Sequence, residues 1–277
     1  MYSLETCEQL WHEAGQHGTP AERIERARAW LPYYSFFAET QKEADFSLSE
    51  DDGFFPSYLI REGLVKPTDR VLEIGAGLGI DSLRFASCCA SVTALEMNSD
   101  CIEVLRHRAE RCGFENIRPV QGAWETFQPE ERFDVSYSAM CPAICDMEEL
   151  RRLERITKRL CCLVTVMRGS CEKHRRAMMA ELGIRPRGGM LTELIHYFNV
   201  LYLMGRQPSV YAHTEEHCCD MTAETVLKRF PIYFRVFGVD EDRSVPFLKD
   251  YLARHAENGV LREESRIHYG LITWNVG

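Results

Sequence analysis

No run of about 18 uninterrupted apolar residues occurs in the 277 residues of this chain, which excludes a membrane-spanning helix. The opening stretch, MYSLETCEQLWHEAG, has acids early and lacks the basic and apolar regions of a secretory signal. A cytoplasmic protein with no membrane partner is expected. Positive charge is also scarce: 33 Lys and Arg against 42 Asp and Glu leave a net charge of −9, whereas nucleic-acid binding calls for a basic face. The one basic run, RRLERITKR at 151–159, reads as the solvated side of an amphipathic helix, so nucleic acid is not the expected partner. There is no CxxC, and the closest spacing of non-adjacent thiols is Cys141 to Cys145. A structural zinc site is therefore not expected, and no metal is assigned. The 12 cysteines read as reduced thiols that serve mostly as small apolar filler. Internal repeats and low-complexity segments are absent as well.

What is present is ordinary globular material, 45% hydrophobic and 27% charged. Helical periodicity covers 3–16 and 20–31, the second opened by Thr19 with Pro20 at the first helical position. An aromatic cluster follows (Tyr33, Tyr34, Phe36, Phe37), then a helix from Phe54 to about Gly63. From Arg70 the rhythm changes. Short strands are expected at 71–75, 91–97, 117–122, 133–140 and 161–167, separated by helices at 81–89, 100–113 and 147–160. Such alternation with short loops predicts a parallel sheet covered by helices on both faces. Beyond Met167 the pattern loosens into helices at 171–183, 190–205, 222–230 and 245–259, a strand within 208–221, and a last strand at 265–276. A basic turn, RPRGG at 185–189, precedes the apolar helix 190–205, which is a candidate contact for a homodimer.

Two runs carry the chemistry. The first, VLEIGAGLG at 71–79, ends a strand in glycines spaced GxGxG rather than GxGxxG; glycines there let the backbone turn tightly and approach a ligand. Glu73 sits inside the strand end. A carboxylate there repels a pyrophosphate and suits a ligand with a cationic amino group, as S-adenosylmethionine has. The second run, VTALEMN at 92–98, closes the next strand with Glu96, one βαβ step further on. There a carboxylate can accept both ribose hydroxyls, which dinucleotide folds also use. Met97 offers an apolar shelf for an adenine ring.

The segments VLEIGAGLGIDSLRFA, VTALEMN, VQGAWETF and FDVSYSAMCPA, in that order, resemble the class I S-adenosylmethionine-dependent methyltransferases over roughly residues 65–170. The resemblance implies an α/β, Rossmann-like, seven-stranded and mostly parallel sheet with helices on both faces, the last strand reversed, and a helical cap over its carboxyl edge. It divides the chain into a helical N-terminal cap at 1–65 and a methyltransferase domain at 66–277 with helical additions in 171–260. It assigns S-adenosyl-L-methionine to Glu73, Gly75, Ala76, Gly77, Gly79, Glu96, Met97 and Ser138. After the third strand the family offers an acid to the adenine amino group; position 123 is alanine here, so Ala123 and Trp124 are the candidates, with Glu125 beside them. The fourth strand ends in Ser138-Ala139-Met140-Cys141-Pro142-Ala143, where the family places its reaction centre. The Asn/Asp-Pro-Pro-aromatic motif of amino-group methyltransferases is incomplete here, so an amine acceptor does not follow.

Methyl transfer from a sulfonium is an in-line displacement with a good leaving group, and the protein mainly positions the nucleophile. A dedicated base is not required and the catalytic residue is left unassigned, with Ser138, Cys141 and Pro142 as candidates. Tyr33, Tyr34 and His196 are candidates for contact with a small-molecule substrate, each with packing as its alternative, as are Tyr197 and Asn199. Two other functions stay open on the sequence: a nicotinamide-dependent oxidoreductase, and a non-catalytic cofactor-binding interaction module on the same fold.

Overall fold

The computed structural model describes residues 3–14, 18–42, 44–184 and 191–276. Its N-terminal portion holds three helices, α1 (Leu4–Ala14), α2 (Pro20–Gln41) and α3 (Phe54–Arg61). The helix α2 opens with a capping box, in which Thr19 Oγ1 accepts from the Glu22 N–H and Glu22 reaches back to the Thr19 N–H at 2.7 Å. It does not end at residue 31. It continues through Pro32, which leaves the Arg28 carbonyl without its helical donor, because the aromatic residues beyond Pro32 gain tertiary packing on that helical face.

The sheet follows. Its parallel part is β1 (Arg70–Ile74), α4 (Ile80–Ala86), β2 (Ser91–Glu96), α5 (Ser99–Cys112), β3 (Ile117–Gln121), β4 (Phe133–Ala139), α6 (Met147–Ile156) and β5 (Thr157–Val166). The expected helix 147–160 stops four residues early, where Thr157 pairs with Phe133 and the chain turns directly into β5. Then come β6 (Cys171–Glu172), α7 (Lys173–Glu181), α8 (Leu194–Leu203), β7 (Ser209–Thr222), α9 (Ala223–Arg235), α10 (Glu241–His255) and β8 (Val260–Asn275). The turn expected at 185–189 lies outside the described residues, as does residue 190 at the start of the helix expected over 190–205.

The strand order is β3-β2-β1-β4-β5-β8, with β6 beside β5's end of β8 and β7 along the other edge of β8. All strands run parallel except β8, which is antiparallel to β5, β6 and β7. The sheet thus has eight strands rather than seven. The addition is the two-residue β6, placed where the sequence suggests a helix start. The last strand also begins five residues earlier than its alternation suggests, because β7 and β8 pair over 14 positions, from Ser209↔Thr273 to Thr222↔Val260. Since β5 ends opposite Tyr269, the far half of this pair rises past the carboxyl edge of the sheet.

One face of the sheet packs Leu72, Ile74, Cys161 and Trp274 against Trp11 of α1, Leu150 of α6 and Leu201 of α8. The other packs Val71, Val135 and Tyr137 against Phe55 and Leu59 of α3 and Phe85 of α4. A third cluster stands above the carboxyl edge, joining Met221 and Leu261 of the ribbon to α7, α9 and α10 and to Tyr33 of α2. Between this upper cluster and the sheet lies a cavity.

Candidate active site

Strand β1 is central and buried, so its end presents alternate side chains to opposite faces. Ile74 reaches the cavity. Glu73 points the other way, under the turn and toward α4, where it is 2% exposed and accepts from Ser82 Oγ. Its neighbour Asp81 accepts from Tyr137 Oη at 2.6 Å. Burial, and then the Asp81 charge, push the Glu73 carboxyl well above the usual range. Burial likewise raises Asp81 to about 6. The residue read as a partner for a cationic group is therefore a buried carboxyl behind the cavity wall.

The turn itself follows the glycine pattern. Gly75, Gly77 and Gly79 all have positive φ, at 78°, 52° and 85°, which glycine adopts without cost. The N–H groups of Gly75 and Ala76 both donate to Leu95 O, at 2.9 and 3.0 Å. Gly75 and Gly77 line the cavity; Ala76 and Gly79 do not. Ala76 packs with Ala94 and Leu105, and Gly79 caps α4 beneath Leu105.

Glu96 stands across from this turn and lines the cavity. Its Oε2 accepts from the Gly77 N–H at 2.9 Å and its Oε1 from the Asn98 N–H at 2.8 Å. Both oxygens are thereby fixed in place, and each keeps a lone pair. Met97 and Ala123 complete this part of the wall. Trp124 also lines it, though the residue is only 4% exposed, its Nε1 donates to Glu149 at 2.6 Å, and Arg152 covers one face of its ring at 4.2 Å. Glu125, which the sequence left undecided, faces the cavity with a nearly buried carboxylate. Among the described residues it has no hydrogen bond, and its ionic neighbour is Arg23 Nε at 3.5 Å.

The loop after β4 forms the next stretch of wall, with Met140, Cys141 and Pro142. Met140 is held in the left-handed region at φ 52° while its N–H donates to Val164 O at 2.9 Å, an unusual conformation for a non-glycine residue. The Cys141 side chain lies directly over Gly75. Burial pushes its thiol up to about 12, and does the same for Cys101 and Cys145, which share the cavity. These thiols stay protonated at neutral pH. Ser138 is absent from the wall; its Oγ donates to Ile74 O at 3.0 Å and ties β4 to β1. Tyr197 supports the loop from behind through Oη donating to Ile144 O at 2.6 Å.

The two tyrosines named from the sequence part company. Tyr34 lines the cavity. Tyr33, one position round the helix, faces the upper cluster, where its Oη accepts from Arg229 at 2.8 and 3.0 Å. His196, half-buried on α8, lies outside the cavity wall. The residues the sequence reading missed are mostly on α2: Arg23, Arg26, Ala27, Trp30 and Leu31 line the cavity with Tyr34. Their spacing, i, i+3/i+4, i+7/i+8 and i+11, is one face of a helix; five of the six positions fall within the helix expected over 20–31, and its continuation past Pro32 adds Tyr34 to them. The cavity measures about 360 Å³, and among the described residues its wall carries no His or Lys.

Residues 71–161 match the model of a family described as a methyltransferase domain. Among curated proteins, the chain is 31% identical over 94 residues to the uncharacterized methyltransferase YcgJ of Bacillus subtilis, covering 34% of this chain and 36% of that protein. It is 22% identical over 144 residues to a protein-L-isoaspartate O-methyltransferase of Koribacter versatilis, covering 48% and 65%. The chain thus spans less than two thirds of the length of these curated relatives. The solved structure of YcgJ from Bacillus subtilis superposes with a TM-score of 0.52 at 18% identity, over 79% of this chain and 97% of that one. A coclaurine N-methyltransferase bound to N-methylheliamine and SAH superposes with a TM-score of 0.50 at 12% identity, over 98% and 94%. At these identities the structures establish a shared fold.

Proposed function

We propose that this chain, whose residues 71–161 match a methyltransferase-domain family, is a class I S-adenosylmethionine-dependent methyltransferase that transfers a methyl group from S-adenosylmethionine to a small-molecule nucleophile held in the cavity beneath α2. The observation that carries this reading is the pinned Glu96 carboxylate, with one oxygen on the Gly77 N–H and the other on the Asn98 N–H. Such a group is oriented before any ligand arrives and presents two acceptors to a pair of vicinal hydroxyls. The surroundings fit the rest of the molecule. At Gly77 an added Cβ would meet nothing within 4 Å, so the turn leaves open space beside it. Met97 and the free face of Trp124 suit a flat ring, and Glu125 supplies an acceptor for an exocyclic amino group, two positions beyond the alanine at 123.

When bound, the cofactor supplies an electrophilic methyl on a good leaving group. The chain's own task is to bind, orient and exclude water. Its cavity wall is mostly apolar, with Tyr34, Met140, Leu31 and Trp30 at the acceptor's side of the space. The cysteine thiols there are held protonated and Glu96 is engaged. An acceptor that is nucleophilic without help from a protein base, such as an unprotonated amine or a readily ionised thiol, fits this wall. The roofing of the cavity by α2 favours a small molecule over a folded macromolecule.

Calorimetric titration with S-adenosylhomocysteine tests the reading. The intact chain is expected to bind it, and Glu96→Gln to bind about tenfold to a hundredfold more weakly, since the amide replaces one acceptor by a donor that faces a backbone N–H. Equal affinity in the two proteins would overturn the assignment of Glu96.

A further inference from the structure

We propose that the first half of α2 is a lid over the cavity, hinged at Pro32 and latched by Arg23 onto the carboxylates of Glu125, Asp146 and Glu149. The proposal rests on the reading that the cavity holds the cofactor. Three observations lead to it.

First, the helix is mechanically divided. Pro32 removes one backbone hydrogen bond in mid-helix. From Leu31 onward the helix is fastened to α5 and its N-cap: Asn98 Nδ2 donates to Leu31 O and to Ser35 Oγ, both at 3.0 Å, Arg108 Nη2 donates to Gln41 Oε1 at 2.9 Å, and Ala38 is buried against Cys101 and Val104. Before that point, Arg23, Arg26 and Ala27 stand over the cavity. Trp30 touches Tyr233 of α9 and Phe237 just after that helix edge-on, but it lies two residues from Pro32 and so bears on the pivot. Arg23 is nine residues from the hinge, a lever of about 14 Å at 1.5 Å per residue.

Second, the Arg23 guanidinium ties the free end to the cavity mouth. The Arg23 side chain is 10% exposed and meets three carboxylates from two other segments: Glu125 at 3.5 Å, Asp146 at 3.5 Å, and Glu149, with which Nη2 forms a hydrogen bond. Glu149 and Asp146 belong to the start of α6, the latter as its N-cap, and Glu125 to the turn after β3. The Arg23 guanidinium therefore joins α2 to both sides of the cavity mouth.

Third, the latch is incompletely satisfied. Arg23 Nε is buried without a hydrogen bond, and Glu125, its nearest acid, has none either among the described residues. That pair is held by charge rather than by geometry, while Nη2 on Glu149 and Nη1 on Gly18 O carry the guanidinium's hydrogen bonds.

Exchange kinetics of S-adenosylhomocysteine, followed by stopped flow with the intact chain, test the lid. The unaltered chain is expected to exchange faster as salt rises; Arg23→Gln is expected to raise both association and dissociation rates, dissociation by about tenfold or more, and to remove that salt acceleration. Arg23→Lys, which keeps the charge and loses the fork, should fall between. Pro32→Ala, which restores the helical hydrogen bond, should slow both rates and leave affinity nearly unchanged. Unaltered rates in Arg23→Gln, with or without a lower Tm, overturn the lid. Failure of the unaltered chain to bind the nucleoside overturns the cofactor reading instead. Hydrogen exchange without ligand then decides the lid: faster exchange in Arg23→Gln confined to residues 20–31 supports it, and a uniform or absent change removes it.

Discussion

A Cβ built on Gly75 would lie 2.6 Å from Cys141 Sγ and 2.8 Å from its Cβ, and the residue's φ is 78°. The two penalties are separable. Left-handed backbone costs an ordinary residue roughly 1–2 kcal/mol, and overpacking adds about 1–3 kcal/mol. Gly75→Ala should therefore destabilise the fold to urea by more than either alone. Adding Cys141→Gly, which removes both Sγ and Cβ, should recover the steric part and leave the backbone part, a coupling of about 1 kcal/mol or more in a double-mutant cycle; additive effects would show that the Cys141 side chain moves aside freely. At this scale the sequence was legible where backbone geometry is dictated locally, as in the glycine turn, and where a strand end must carry its last acid outward, as at Glu96. It was illegible where the answer depends on which side of an element faces the cavity. Glu73 and Ile74 differ only by strand alternation, and Tyr33 and Tyr34 by about a quarter turn of helix. Neither choice can be made before the neighbours are placed.

Between β1 and α4, Glu73, Ser82, Asp81 and Tyr137 form a buried contact that reads in solution as a pH dependence. Folding raises the Asp81 carboxyl, chiefly by burial, to about 6, from roughly 4 in an unfolded chain. Between those values the folded state binds more protons than the unfolded one. The contribution to stability is thus fully present below about pH 4 and is lost as pH rises through 6. Asp81→Asn keeps an acceptor for Tyr137 Oη and removes the titration. Denaturant unfolding of the two proteins should give a difference curve that shifts against the unaltered chain across this window, by on the order of 3 kcal/mol; a flat difference would mean that the pair ionises freely. The same elements mark what could be read along the chain. Five short strands and their helices were legible because each carries its own hydrophobic period. The length of the β7–β8 ribbon was not: most of β7 is exposed, and its pairing with β8 rather than its pattern makes it a strand. The passage of α2 through Pro32 was hidden for a related reason, since the packing that offsets the lost hydrogen bond comes from α5 and α9.

At the scale of the whole molecule, the cavity belongs to neither the sheet nor the upper cluster alone. Its floor is the carboxyl edge of β1, β2 and β4, and its roof is a helix whose Tyr33 is buried among α9 and α10 while Tyr34 faces the space below. A ligand held there bridges the two parts, so it should stabilise the molecule as one unit. At a hundred times its Kd, S-adenosylhomocysteine should add about 2.7 kcal/mol through mass action, a rise in Tm of roughly 5 °C or more for a chain of this size. The same measurement separates the two cofactors that the glycine turn left in competition. A dinucleotide must seat a pyrophosphate at that turn, but Cys141 covers Gly75 and the nearest carboxylate, Glu96, is fixed on the Gly77 N–H. That N–H is thereby taken from any phosphate, and the negative charge beside it opposes one. NADH should leave Tm unchanged. A rise with NADH and none with S-adenosylhomocysteine would return the site to the dinucleotide reading, with Glu96 still on a ribose and the turn open to a phosphate after all.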